Sequence, residues 1–81
     1  MINEEIKNNN SLEVDYEQAT PMFKQFLDIK RKYTGVLLLY RMGDFYEGFF
    51  EDAIVFSKVL GLTLTHKDGG EIGSVPMAGI P

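Results

Sequence analysis

The dipeptide Gly43-Asp44 constrains this chain more than any other pair of residues. It separates two strand-like runs, VLLLYRM (36–42) and FYEGFF (45–50). Gly supplies the positive φ that a two-residue hairpin loop requires, so the runs are expected to fold back on each other. A turn at 43–44 also fixes the register: Met42 opposes Phe45, Arg41 opposes Tyr46, Tyr40 opposes Glu47 and Leu39 opposes Gly48. Strand side chains alternate between faces. Phe45 and Glu47 therefore share one face with Met42 and Tyr40, while Tyr46 and Phe50 share the other with Leu37 and Leu39. The second set is expected to be the core face, with Arg41 extending from its end. The run 36–42, apolar apart from Arg41, has the length of a strand covered on both sides.

This register leaves Glu47 to be explained. A carboxylate between Phe45 and Phe49 is costly if buried without a partner. The residues alone allow two readings. Either Phe45 is core and Glu47 is solvated, or both reach outward from the hairpin tip, about 7 Å apart along the strand.

Helices are expected on both sides of the hairpin. Thr20-Pro21 is a start signal, a capping hydroxyl followed by the residue best tolerated at the first helical position. Met22, Phe26, Ile29 and Tyr33 then recur at helical spacing, with Phe23 and Leu27 beside them. Lys30-Arg31-Lys32 is expected as a solvated helix end whose charges complement the dipole, and Gly35 as the stop. Glu51-Asp52 opens a second helix, with Ala53, Ile54, Phe56, Val59 and Leu60 as its buried side and Gly61 as its end. Leu62 to Thr65 is β-like and Asp68-Gly69-Gly70 is a turn. The remainder, EIGSVPMAGIP, is too rich in Gly and Pro for a helix and is expected to be a loop ending at Pro81.

Charge is unevenly distributed. The chain has 81 residues and a net charge of −4. Residues 1–20 hold Glu4, Glu5, Glu13, Asp15 and Glu17 against Lys7, whereas acids and bases balance over 21–81. Residues 1–19, with three consecutive Asn and no apolar period, are expected to be a flexible acidic leader, and 20–81 the folded domain. A neutral body with an acidic leader is not the basic footprint of a protein that grips nucleic acid unaided. There are no cysteines, which excludes disulfides and Cys-based zinc sites. No signal peptide or membrane-length apolar run is present, and a cytoplasmic address is expected.

Other constellations are weaker. Asp44, Glu47, Glu51 and Asp52 can be arranged on paper as a hard-cation or nuclease site. They are read more simply as a turn residue, the tip carboxylate and two helix-start acids. His66 is the only histidine and makes no catalytic pair. Gly69, Gly70 and Gly73 lack the Lys-Ser/Thr of a phosphate loop.

The longer pattern resembles a known family. The TPM start (20–22), YRMGDFYE (40–47), FFEDA (49–53), the LT strand and the closing PMAGIP (76–81) are similar, in order, to the N-terminal mismatch-recognition domain of the MutS family of DNA mismatch-repair proteins. The resemblance covers about residues 20–81. It implies a small mixed-sheet α/β domain with a central hairpin flanked by helices, here as a fragment of a longer protein. It implies that Phe45 and Glu47 are the DNA-binding pair. Phe45 would enter from the minor groove and stack on a mispaired base, and Glu47 would hydrogen-bond that base. Met77, Lys67 and Asp44 are secondary candidates for DNA contact. The resemblance also implies a dimer, a MutL-type partner, and an ATPase using ATP and Mg²⁺ in parts of the protein beyond these 81 residues. No catalytic residue, cofactor or metal is expected in this piece, and the expected address is cytoplasmic and nucleoid-associated. A purely structural or protein-contact α/β domain and a small metal-dependent nuclease are the competing readings.

Overall fold

Two local signals act where expected, one starting the first helix and one ending the second. The computed structural model describes residues 8–81; residues 1–7 of the expected leader lie outside them. Helix α1 spans Pro21–Lys30, and the Thr20 hydroxyl accepts from the Phe23 N–H. Its buried residues are Phe23, Phe26, Leu27 and Lys30, an i, i+3, i+4, i+7 stripe. Helix α2 spans Glu51–Leu60 and ends on Gly61 in the left-handed region, φ 69°.

The strands are β1 (Tyr40–Met42), β2 (Phe45–Phe49), β3 (Thr65–Asp68) and β4 (Ser74–Ile80). They form one sheet in the order β1-β2-β4-β3, antiparallel throughout. Met42, Arg41 and Tyr40 face Phe45, Tyr46 and Glu47, the register that the 43–44 turn requires.

Both faces of the sheet are covered, and the larger core lies on the face expected to point outward, although Phe50 of the expected core face is buried and Phe45 is exposed as expected. Phe49, on the Phe45–Glu47 face, is fully buried, and Tyr40 and Met42 pack against the same core. That core joins Phe23, Phe26 and Leu27 of α1 to Phe49, Phe50 and Val75. The Phe23 and Phe49 rings meet edge-to-face at 5.0 Å, and Phe26 and Phe49 at 5.2 Å, a geometry that ring quadrupoles favour. Tyr46, Leu37 and Leu39 are exposed instead. On the Tyr46 face, α2 brings Ala53 and Phe56 down onto Ala78. Phe56 lies over Gly48, where an added Cβ would come within 2.4 Å of its ring. The small residues at 48 and 78 thus set the approach of α2.

Four further expectations change. Of the run 36–42, only Tyr40–Met42 pairs as a strand, and Val36, Leu37 and Leu39 are exposed. On α2, Val59 and Leu60 are exposed rather than buried, because the helix meets the sheet through Ala53 and Phe56. Lys30 is buried, not a solvated helix end: it falls on the α1 stripe and pairs with Asp52 at 2.9 Å. Residues 8–19 are packed rather than loose. They form 3₁₀ turns at Ser11–Glu13 and Tyr16–Gln18, capped by Asn10 and Asp15. Asn8 donates to the Ile72 and Ser74 carbonyls, Ser11 to Glu51, and Arg31 donates back to the Ser11 and Val14 carbonyls.

The expected terminal loop is strand β4, a central strand despite Pro76. The Phe50 N–H donates to the Pro76 carbonyl, while the Phe50 carbonyl accepts from Ile54 at the start of α2. Pro76 therefore lacks its N–H where the neighbouring carbonyl is already engaged, and no ladder bond is lost. Phe50 makes this turn with φ 59°, outside the usual range for a bulky residue.

Candidate functional site

The hairpin tip is built by its turn. Gly43 has φ 61° and Asp44 does not have positive φ, the pattern of a type II′ turn. The Arg41 Nε–H donates to the Gly43 carbonyl at 3.1 Å, bracing the loop from within. Asp44 is exposed at the tip and adjoins Phe45.

Phe45 continues the face that carries Phe49 but lies beyond the core, and its relative exposure is 52%. Glu47 lies one step inward on the same face, half-buried, between Tyr40 on β1 and Gly79 on β4. Its Oε2 is buried and has no hydrogen-bond partner among the described residues. Tyr40 does not supply one; its hydroxyl donates to Gln25 Oε1 at 3.0 Å. An acceptor oxygen shielded without a donor is disfavoured by desolvation. The arrangement thus presents an exposed ring beside a carboxylate with unused acceptor capacity.

The other candidates divide. Met77 faces Phe49 across β2–β4 and packs against the main core, on the same side of the sheet as Glu47. Lys67 pairs with Val75 on β3. It is two strands from β2 and toward the opposite end of the sheet, roughly 20 Å from Phe45 by strand geometry. The structure therefore brings Asp44, Phe45 and Glu47 together and leaves Lys67 apart. Glu51 and Asp52 are also elsewhere. Glu51 accepts from the Ser11 N–H and hydroxyl, and Asp52 is paired with Lys30. Among the described residues no group of three His, Asp or Glu is placed to hold a metal ion.

A clamp beneath the hairpin was not expected from the sequence. Lys30 Nζ donates to the Val36 carbonyl as well as to Asp52, and Asp52 Oδ2 accepts the Leu38 N–H at 3.0 Å. One buried ion pair thus fixes α1, α2 and the segment entering β1. The available signal was the position of Lys30, four residues after Phe26 on the apolar stripe of α1.

The fold and tip define a class: a small three-layer α/β domain that carries an exposed aromatic and a carboxylate on a hairpin. Residues 20–81 match the family model described as MutS domain I. The chain is 58% identical over 69 residues to the DNA mismatch repair protein MutS of Prochlorococcus marinus (strain MIT 9303), covering 84% of this chain and 7% of that protein. It is 55% identical over 62 residues to the MutS of Carboxydothermus hydrogenoformans, covering 76% and 7%. With the MutS of Thermodesulfovibrio yellowstonii the identity is 46% over 70 residues, covering 86% and 8%. The chain belongs to the MutS family of DNA mismatch-repair proteins and corresponds to its domain I. It spans less than a tenth of the length of these curated relatives.

Proposed function

We propose that this domain reads mismatches in duplex DNA through Phe45 and Glu47. The supporting observation is the exposed Phe45 ring at the end of the sheet face that carries buried Phe49, next to a carboxylate oxygen with no partner among the described residues. Unstacking a base step costs a few kcal/mol, less where pairing is already defective. A ring stacked on a base returns about 1–3 kcal/mol. A wedge of this kind therefore enters weak steps and is excluded from sound ones. Glu47 accepts a hydrogen bond from the displaced base, and its charge opposes entry into intact, phosphate-lined duplex. Both effects raise discrimination more than affinity.

The remainder of the longer protein supplies grip and energy in this reading. It acts as a dimer, uses ATP with Mg²⁺, and works with a MutL-type partner in the cytoplasm, at the nucleoid. The chemistry of this domain is binding, with no catalytic step assigned to it.

The test is competition binding of the full-length protein to mismatched and matched duplexes. Phe45→Ala should abolish the preference for the mismatch. Retention of the wild-type preference would remove Phe45 from the reading.

A further inference from the structure

Glycine inside a strand weakens it and calls for a local reason. Gly79 lies in β4 directly opposite Glu47, and its backbone is not in the positive-φ region that favours glycine. The reason is space. A Cβ at 79 would stand 2.8 Å from Glu47 Cγ and 2.8 Å from the Tyr46 carbonyl oxygen. The first distance means that the Glu47 side chain occupies the volume a side chain at 79 would fill. The same carboxylate has a buried oxygen with no hydrogen-bond partner among the described residues, so no hydrogen bond to that oxygen holds the side chain in place.

We propose that Gly79 is a positioning residue for Glu47: the vacant side-chain space at 79 is the seat in which the tip carboxylate is held beside Phe45. The inference rests on the reading of Glu47 given above. It predicts that any side chain at 79 drives the Glu47 carboxylate from its seat and misdirects its hydrogen bond.

A double-mutant cycle in the full-length protein tests this, using Gly79→Ala, Glu47→Ala and the double variant on mismatched and matched duplexes. Gly79→Ala should lower the mismatch preference about tenfold, the scale of one hydrogen bond to a charged group. In the Glu47→Ala background it should lower it no further. An equal loss in both backgrounds would show that residue 79 acts through strand geometry, by the clash with the Tyr46 carbonyl, and would overturn the proposal. If Glu47→Ala alone leaves the preference unchanged, the reading of Glu47 fails and this inference fails with it. If Glu47→Ala has its effect and Gly79→Ala has none, only this inference fails. Hydrogen exchange over residues 45–49 and 75–80 monitors the fold in all four proteins. Lost protection in Gly79→Ala that returns when Glu47 is also truncated supports the seat, and loss in both backgrounds contradicts it.

Discussion

Phe45 and Phe49 are the same side chain on the same face of one strand, and they meet opposite environments. Phe49 is fully buried against Phe23 and Phe26, whereas Phe45 is half exposed. Phe49→Ala should therefore cost about 3–5 kcal/mol in thermal or denaturant unfolding. Phe45→Ala should stay within about 0.5 kcal/mol, as exposed sites do. Equal losses would place Phe45 in the core. Tyr46→Ala belongs with Phe45 in this respect, since Tyr46 is exposed on the opposite face; the alternation pattern read from sequence had it inward. The period of two was legible, but that each face is covered by its own helix, the Phe49 face by α1 and the Tyr46 face by α2, was not. Gly48 and Ala78 form the seat of α2 on the Tyr46 face, small enough to let the Phe56 ring approach the sheet. At Glu47 the expected effect is on binding. Glu47→Gln keeps hydrogen-bonding capacity and removes charge, so it should tighten binding to matched duplex more than to mismatched. The difference should shrink as salt rises. Unchanged affinity for matched duplex at low salt would contradict the repulsive role of Glu47.

At the scale of elements, local signals were readable and long-range ones were not. Thr20-Pro21, Gly43-Asp44 and Gly61 act within a few residues of themselves, and each appears where the sequence put it. β4 was hidden because its tolerance of Pro76 depends on Phe50 turning its carbonyl into α2, a contact across 26 residues of chain. The Lys30–Asp52 pair was hidden likewise, since a lysine in a basic triplet reads as solvated until its helix face is known. Removing one partner of a buried pair strands the other charge. Lys30→Met should destabilise by about 3–5 kcal/mol, while Lys30→Met with Asp52→Leu should recover much of that loss. Failure of the double variant to recover would mean that the bonds to Val36 and Leu38, not the charges, are what the segment needs. Packing of α2 has its own test. Gly48→Ala should cost about 1–3 kcal/mol by overpacking against Phe56, measured by unfolding; a neutral result would contradict the close seat of Phe56 over the sheet.

Over the whole molecule, the charge balance sets what this chain does alone. Residues 21–81 carry no net charge and the segment before them is acidic, so counterion release contributes little to DNA affinity. The 81-residue chain should bind duplex only weakly at physiological salt, with or without a mismatch, and submicromolar affinity would contradict this. In the proposed reading, discrimination is a property of the tip, and grip comes from the rest of a longer protein. The most direct measurement uses that full-length protein and a duplex with a fluorescent base analogue at the mismatch, whose emission reports whether a ring stacks on it. Wild-type protein should quench the analogue. Phe45→Ala should bind the duplex at saturating protein without quenching, and Phe45→Tyr, which keeps a ring, should restore the quench. Quenching by Phe45→Ala equal to wild type would mean that another group meets the base, and the assignment of Phe45 would be wrong.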